Sequence, residues 1–134
     1  MTLDTYVRAM LAHFSIVEAS EHGGVNNMLA VAHVLRNRVF SGWGDWLGVV
    51  MSAPEKRANL YVPPMPNIRS NNVRVVLNKI DDIYTRADAN DLTGGALFYA
   101  NPVQPFAEWF QKEVLDRPED HPRCAHIGPI WFFK

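Results

Sequence analysis

SIVEASEHGGVNNMLAVAHVLRNRV, residues 15–39, joins two apolar-patterned segments across a glycine pair. Upstream, Tyr6, Val7, Met10, Leu11, Phe14 and Val17 recur at helical spacing, which predicts a helix over 4–17 with a broad buried face. Asp4 suits its N-terminus, as a cap or as a charge on the helix dipole. Gly23-Gly24 breaks the pattern and is expected to act as a hinge. Downstream, Met28, Leu29, Val31, Ala32, Leu35 and Val39 form the stripe of a second helix, expected from a cap at Asn26 to Phe40. Ser41-Gly42 ends it. Arg36 and Arg38 fall in its last turns, where positive charge suits the dipole.

Residues 41–69 carry Trp43, Trp46, Tyr61, Pro54, Pro63, Pro64 and Pro66. They predict a long irregular segment with a short helix near 45–52. A loop of that length in a small domain is often functional. Ser70 caps a third expected helix, 70–89, in which Val73, Val76, Leu77, Ile80, Ile83, Tyr84 and Ala87 repeat. Thr93-Gly94-Gly95 reads as a turn. Ala96–Asn101 reads as an aromatic-rich strand stopped by Pro102, and Pro105 as the opening of a short helix, Phe106–Leu115. Residues 116–126 read as a polar connection and Ile130–Phe133 as a second strand, able to pair with the first. The expected fold class is α+β, mainly helical, one domain over 1–134 with a small antiparallel β element.

Composition narrows the function. A chain of 134 residues supports one core, and 48% hydrophobic with 20% charged residues excludes global disorder. A net charge of −1 makes no electrostatic case for nucleic acid, anionic lipid or anionic wall polymer. A polymeric substrate would be gripped by shape, hydrogen bonds and aromatic stacking. The lone Cys124 cannot form an internal disulfide. No stretch reaches the roughly 18 apolar residues of a membrane span. Asp4, Arg8 and His13 interrupt the N-terminal apolar run, so it reads as mature helix rather than signal peptide. A soluble monomer is expected, with no membrane insertion.

Glu18 and Glu21 stand three residues apart behind Phe14, Ile16 and Val17. Glycosidic cleavage needs a carboxylic acid that stays neutral until it protonates the leaving oxygen, and burial beside apolar groups favours that state. A solvated helix terminus is the plainer alternative, and local spacing alone favours it. In TGGALFYANP, 93–102, strand alternation places Leu97, Tyr99 and Asn101 on one face and Ala96, Phe98 and Ala100 on the other. A phenol and an amide suit a carbohydrate. Tyr99 and Asn101, with Thr93 in the turn before them, are the expected substrate-binding residues. His121, Cys124 and His126 lie within six residues, but their spacing matches no standard zinc signature. No metal and no cofactor are expected. His13, His22 and His33 read as surface or core residues. Trp43, Trp46, Tyr61 and Trp109 are sugar-groove candidates, each more simply read as core. Nucleophile-elbow and phosphate-loop motifs are missing.

Three blocks in order resemble the SleB/CwlJ-type cell-wall hydrolase family. Residues 15–39 are similar to its G-E-A-x-G-E segment and the helix ending in L-N-R-V. TGGALFYANP is similar to G-A-x-x-Y-x-N-P, and IGPIWFFK, 127–134, to I-G-x-H-x-F-Y. MSAPEKRA, 51–58, is a weaker fourth match. The resemblance implies a lysozyme-like domain that cuts the peptidoglycan glycan strand between N-acetylmuramic acid and N-acetylglucosamine. It implies that Glu18 is the catalytic acid and that Tyr99 and Asn101 line the cleft. Glu21 sits one position early for the second family Glu, Val17 replaces a Gly, and Ile130 replaces a His. Such divergence suits a phage-encoded lysin, held in the host cytoplasm until released to the wall. The competing expectation is a glycan-binding or virion structural domain without catalysis.

Overall fold

The computed structural model describes residues 2–19, 24–51, 71–85, 90–103 and 105–134. Expectations for Glu21, His22, Gly23, the segment 52–69 with Tyr61, the Ser70 cap and Ala87 lie outside these residues.

The predicted helices form. α1 is Leu3–Ala19, α2 Gly24–Phe40, α3 Trp46–Val50 and α4 Asn71–Thr85. Helix α2 is the centre of the molecule: Asn27 through Arg36 is buried without a break. A helix buried on every side must be apolar nearly all round, and MLAVAHVL is. α1 contributes Leu11, Ala12 and Phe14, and α4 contributes Val76, Ile80 and Ile83. On α4 the intervening Arg74, Asn78, Lys79, Asp81 and Asp82 stay exposed, as expected for a helix with one buried stripe. Tyr84 Oη donates to Asp4 Oδ1 at 2.5 Å and Arg8 pairs with Asp81 at 3.2 Å, tying α4 to α1 at the surface. No described helix is long and apolar enough to cross a membrane.

Helix α2 starts at Gly24, two residues before the expected cap, so Asn26 lies exposed in the first turn. Its neighbour Asn27 turns inward instead. The Asn27 amide donates to the Ala19 carbonyl at 3.4 Å and so reaches the end of α1. Asp45 caps α3, accepting from Gly48 N at 2.8 Å.

The sheet has three strands, β1 Phe98–Ala100, β2 Arg123–Ile127 and β3 Ile130–Phe133, in the order β1-β3-β2. β1 pairs antiparallel with β3, as expected, with Tyr99 opposite Phe132. β2 corrects the reading of 116–126 as connection only. Arg123-Cys-Ala-His has little β-propensity. Its pairing comes from a hairpin in which Ile127 opposes Ile130, with Gly128 at φ +55° ahead of Pro129 in the two-residue loop. One sheet face, with Tyr99, Ile130 and Phe132, packs on the helices. The other, with Phe98, Ala100 and Phe133, packs on Phe110 and Val114. Those two come from α5, Glu108–Phe110, which widens into a π-helical turn over Gln111–Leu115.

Candidate active site

The last turn of α2 is where the elements converge. Trp43 N donates to Arg38 O at 3.0 Å and Gly42 N to Val39 O at 3.2 Å. With Gly42 at φ +85°, this is a Schellman ending. Such an ending folds the residue after the glycine back on the helix. Here that residue is Trp43, and its ring centroid lies 4.9 Å from the Arg38 guanidinium carbon. The Arg38 Nε donates to the Leu97 carbonyl at 2.8 Å, and the Tyr99 ring centroid lies 6.0 Å away. Phe98 meets the Trp43 ring edge-on at 5.4 Å and His121 at 4.9 Å.

Glu18 is partly buried one residue before the end of α1. Burial pulls the Arg38 guanidinium down from its ordinary value, while electrostatic interaction with Tyr99 and Glu18 acts in the opposite sense. Glu18 from α1, Arg38 from α2 and Tyr99 from β1 therefore share one electrostatic neighbourhood. An arginine keeps its charge through such burial.

β1 is presented by a second network. Asp91 accepts from Thr93 N at 2.8 Å, Thr93 Oγ1 at 2.7 Å, Gly95 N at 3.0 Å and Asn37 Nδ2 at 2.9 Å. Burial pushes the Asp91 carboxyl up, but the bonds from Thr93 and Asn37 outweigh it and the net shift is downward. The Asn37 amide also donates to Ala96 O at 3.0 Å, and Thr93 Oγ1 accepts from Ala96 N at 3.1 Å. Thr93 is 0% exposed, so its hydroxyl is consumed inside the turn rather than presented to a ligand. Ala96 is buried in the helical core instead of lying on the Phe98 face, because the strand begins only at Phe98. Asn101 is partly buried and its Oδ1 accepts from Val103 N at 3.0 Å, closing a turn just after β1.

The structure places Tyr99 beside Arg38 and Glu18 within electrostatic reach of that guanidinium, spends the Thr93 hydroxyl inside its own turn, and draws in Arg38 and the sugar-groove candidate Trp43. Arg38 was explained by the helix dipole. Trp43 read as core, yet it is 50% exposed. The sequence signals were the L-N-R-V resemblance, whose Arg matches Arg38, and Gly42 followed directly by Trp43. Trp109, also read as core, is exposed as well. Trp46 is partly buried against Tyr84, with ring centroids at 4.9 Å. Of the two readings offered for His13 and His33, surface or core, the structure gives the core.

His121, Cys124 and His126 do not gather. His121 Nδ1 lies 2.7 Å from Lys134 O, and Cys124 Sγ points to Phe132 O at 3.6 Å. His126 stands against Trp131 at 6.0 Å. Among the described residues no group of three potential ligands could hold a metal ion.

The domain is mainly helical with a small antiparallel sheet, a lysozyme-like architecture. The fold is that of SleB catalytic domains. The chain superposes on the catalytic domain of the Bacillus cereus SleB protein with a TM-score of 0.67 at 24% identity, over 97% of this chain and 91% of that one. It superposes on the catalytic domain of the germination-specific lytic transglycosylase SleB from Bacillus anthracis with a TM-score of 0.63 at 21% identity, over 100% and 97%. No protein-family model matches the sequence, and no curated protein matches it significantly.

Proposed function

We propose that this chain cleaves the glycan strand of peptidoglycan, with Glu18 as general acid and then base. The observation that carries the reading is that the Arg38 guanidinium, 6.0 Å from the Tyr99 ring centroid, also lies within electrostatic reach of Glu18 on a third element. It occurs in a fold shared with SleB catalytic domains, one of which is described as a lytic transglycosylase. The sequence blocks around Glu18 and Tyr99 support the same family.

Glu18 gives its proton to the oxygen between N-acetylmuramic acid and N-acetylglucosamine as the C1–O bond breaks. The resulting carboxylate then accepts a proton from the nucleophile that attacks C1. Attack by the muramoyl 6-hydroxyl gives a 1,6-anhydro end, and attack by water gives a reducing end. We favour the first, a lytic transglycosylase, because it needs no second carboxylate. Glu21 is the candidate second carboxylate if water is the nucleophile. Tyr99 and Asn101 line the cleft, and Thr93 acts at one remove by fixing the turn that presents them.

Mass spectrometry of fragments released from purified peptidoglycan tests this reading. Anhydro-ended muropeptides are expected; reducing ends would assign a muramidase. Binding without release of any fragment would favour a glycan-binding domain and contradict the proposal.

A further inference from the structure

We infer that Arg38 and Trp43 form a subsite for a sugar bearing a carboxylate, the guanidinium taking the carboxylate and the indole face taking the ring. The inference rests on the proposed function and names what the cleft selects within the glycan.

The Nε bond to Leu97 O at 2.8 Å fixes the guanidinium, and Trp43 packs over it at 4.9 Å. Among the described residues the two terminal nitrogens of Arg38 have no hydrogen-bond partner. A guanidinium held by its Nε still offers the planar fork that binds a carboxylate through two parallel bonds. Arg38 is only partly exposed, so such a pair would be partly shielded from water and stronger than a surface pair. Trp43 is 50% exposed and lies directly beside this cation. The apolar face of a sugar ring is the natural cover for it. With a net charge of −1, the chain has no broad positive field, so recognition of an anion has to be local. Glu18 lies within electrostatic reach of the same guanidinium, which places the subsite beside the proposed acid.

The shared chemistry is a carboxylate on the muramoyl unit. It is either the lactyl carboxylate of a peptide-stripped strand or the first free carboxylate of the stem peptide. The test measures binding by the Glu18→Gln protein, so cleavage does not interfere. The ligands are amidase-stripped strands, peptide-bearing strands, each of these with its carboxylates converted to methylamides, and a neutral N-acetylglucosamine hexamer. At least one free-acid strand should bind on the order of tenfold tighter than its methylamide, the size expected of hydrogen bonds to a charged group. Which strand shows the preference identifies the source of the carboxylate. Arg38→Lys should remove the preference of acid over methylamide strands, whereas Trp43→Ala should weaken all ligands and keep that preference. Equal binding of acid and methylamide strands would overturn the inference, and that comparison needs no change at Arg38. Full preference retained in Arg38→Lys would overturn it too. Cleavage by Glu18→Gln would instead count against the proposed function, leaving the acid-to-amide ratio readable.

Discussion

Arg38 Nε donates to the Leu97 carbonyl at 2.8 Å, and this bond ties the last turn of the central helix to the segment leading into β1. The helix that fills the core thereby also sets where Tyr99 stands beside Arg38. Packing and site geometry are joined at one side chain.

The helix ending that places Trp43 depends on Gly42. At φ +85° a side chain is strained, and nothing lies within 4 Å of the position a Cβ would take, so the cost of adding one is conformational rather than steric. Gly42→Ala should lower stability by about 1–2 kcal/mol, and Gly42→Asn by less. Urea unfolding of the two variants checks this; an unchanged midpoint for Gly42→Ala would contradict the Schellman assignment.

Asp91 is the hub of the turn before β1. Asp91→Ala removes the acceptor for the Asn37 amide and for the Thr93 and Gly95 donors. It should cost about 2–4 kcal/mol, since the donors lose a charged partner and the nearby Thr93 is buried. Loss of less than half that in chemical denaturation would mean that water replaces the carboxylate readily.

Stability should fall on acidification for two reasons of the same sign. Burial holds His33 below its ordinary value near 6.5, with Asp91 opposing and Arg36 reinforcing. The unfolded chain then binds the proton first, so the contribution is full above that value and is lost as pH falls toward the folded one. Asp91 lies below its ordinary value of 3.8, so its contribution is lost at still lower pH, as pH falls through the folded value. Unfolding midpoints measured downward from pH 8 should show an early decline that His33→Gln flattens, and a later one that Asp91→Asn flattens.

Much of the fold was legible because apolar spacing carries it. α1, α2 and α4 announce themselves by helical repeats, and the antiparallel pairing of β1 with β3 was expected from two aromatic strands. β2 was not legible, since Arg123, Cys124 and His126 are ordered by the hairpin rather than by their own preference. At the site, Glu18 and Tyr99 carry sequence neighbours that point to them. Arg38 falls in the L-N-R-V resemblance, but its contact with the segment leading into β1 arises only when α2 meets Leu97 across 59 residues of chain. Thr93 shows the reverse: a polar residue beside the motif whose hydroxyl is spent within its own turn.

Thr93 and Tyr99 should therefore separate in a kinetic comparison. Thr93→Val should lower stability by about 1–2 kcal/mol, as a buried hydrogen-bonding hydroxyl is lost, while KM and kcat per folded molecule stay near wild type. Tyr99→Phe and Asn101→Ala should lower turnover in a chain that stays folded. Circular dichroism beside initial rates distinguishes the two patterns, and a Tyr99→Phe enzyme of wild-type activity would remove the phenol from the site.

The most direct measurement is turnover of purified peptidoglycan by Glu18→Gln, alongside its thermal unfolding. The substitution keeps the shape of the side chain and removes its acid. The account predicts a protein that unfolds like the wild type and releases no muropeptides. Near-native release by that variant would contradict it.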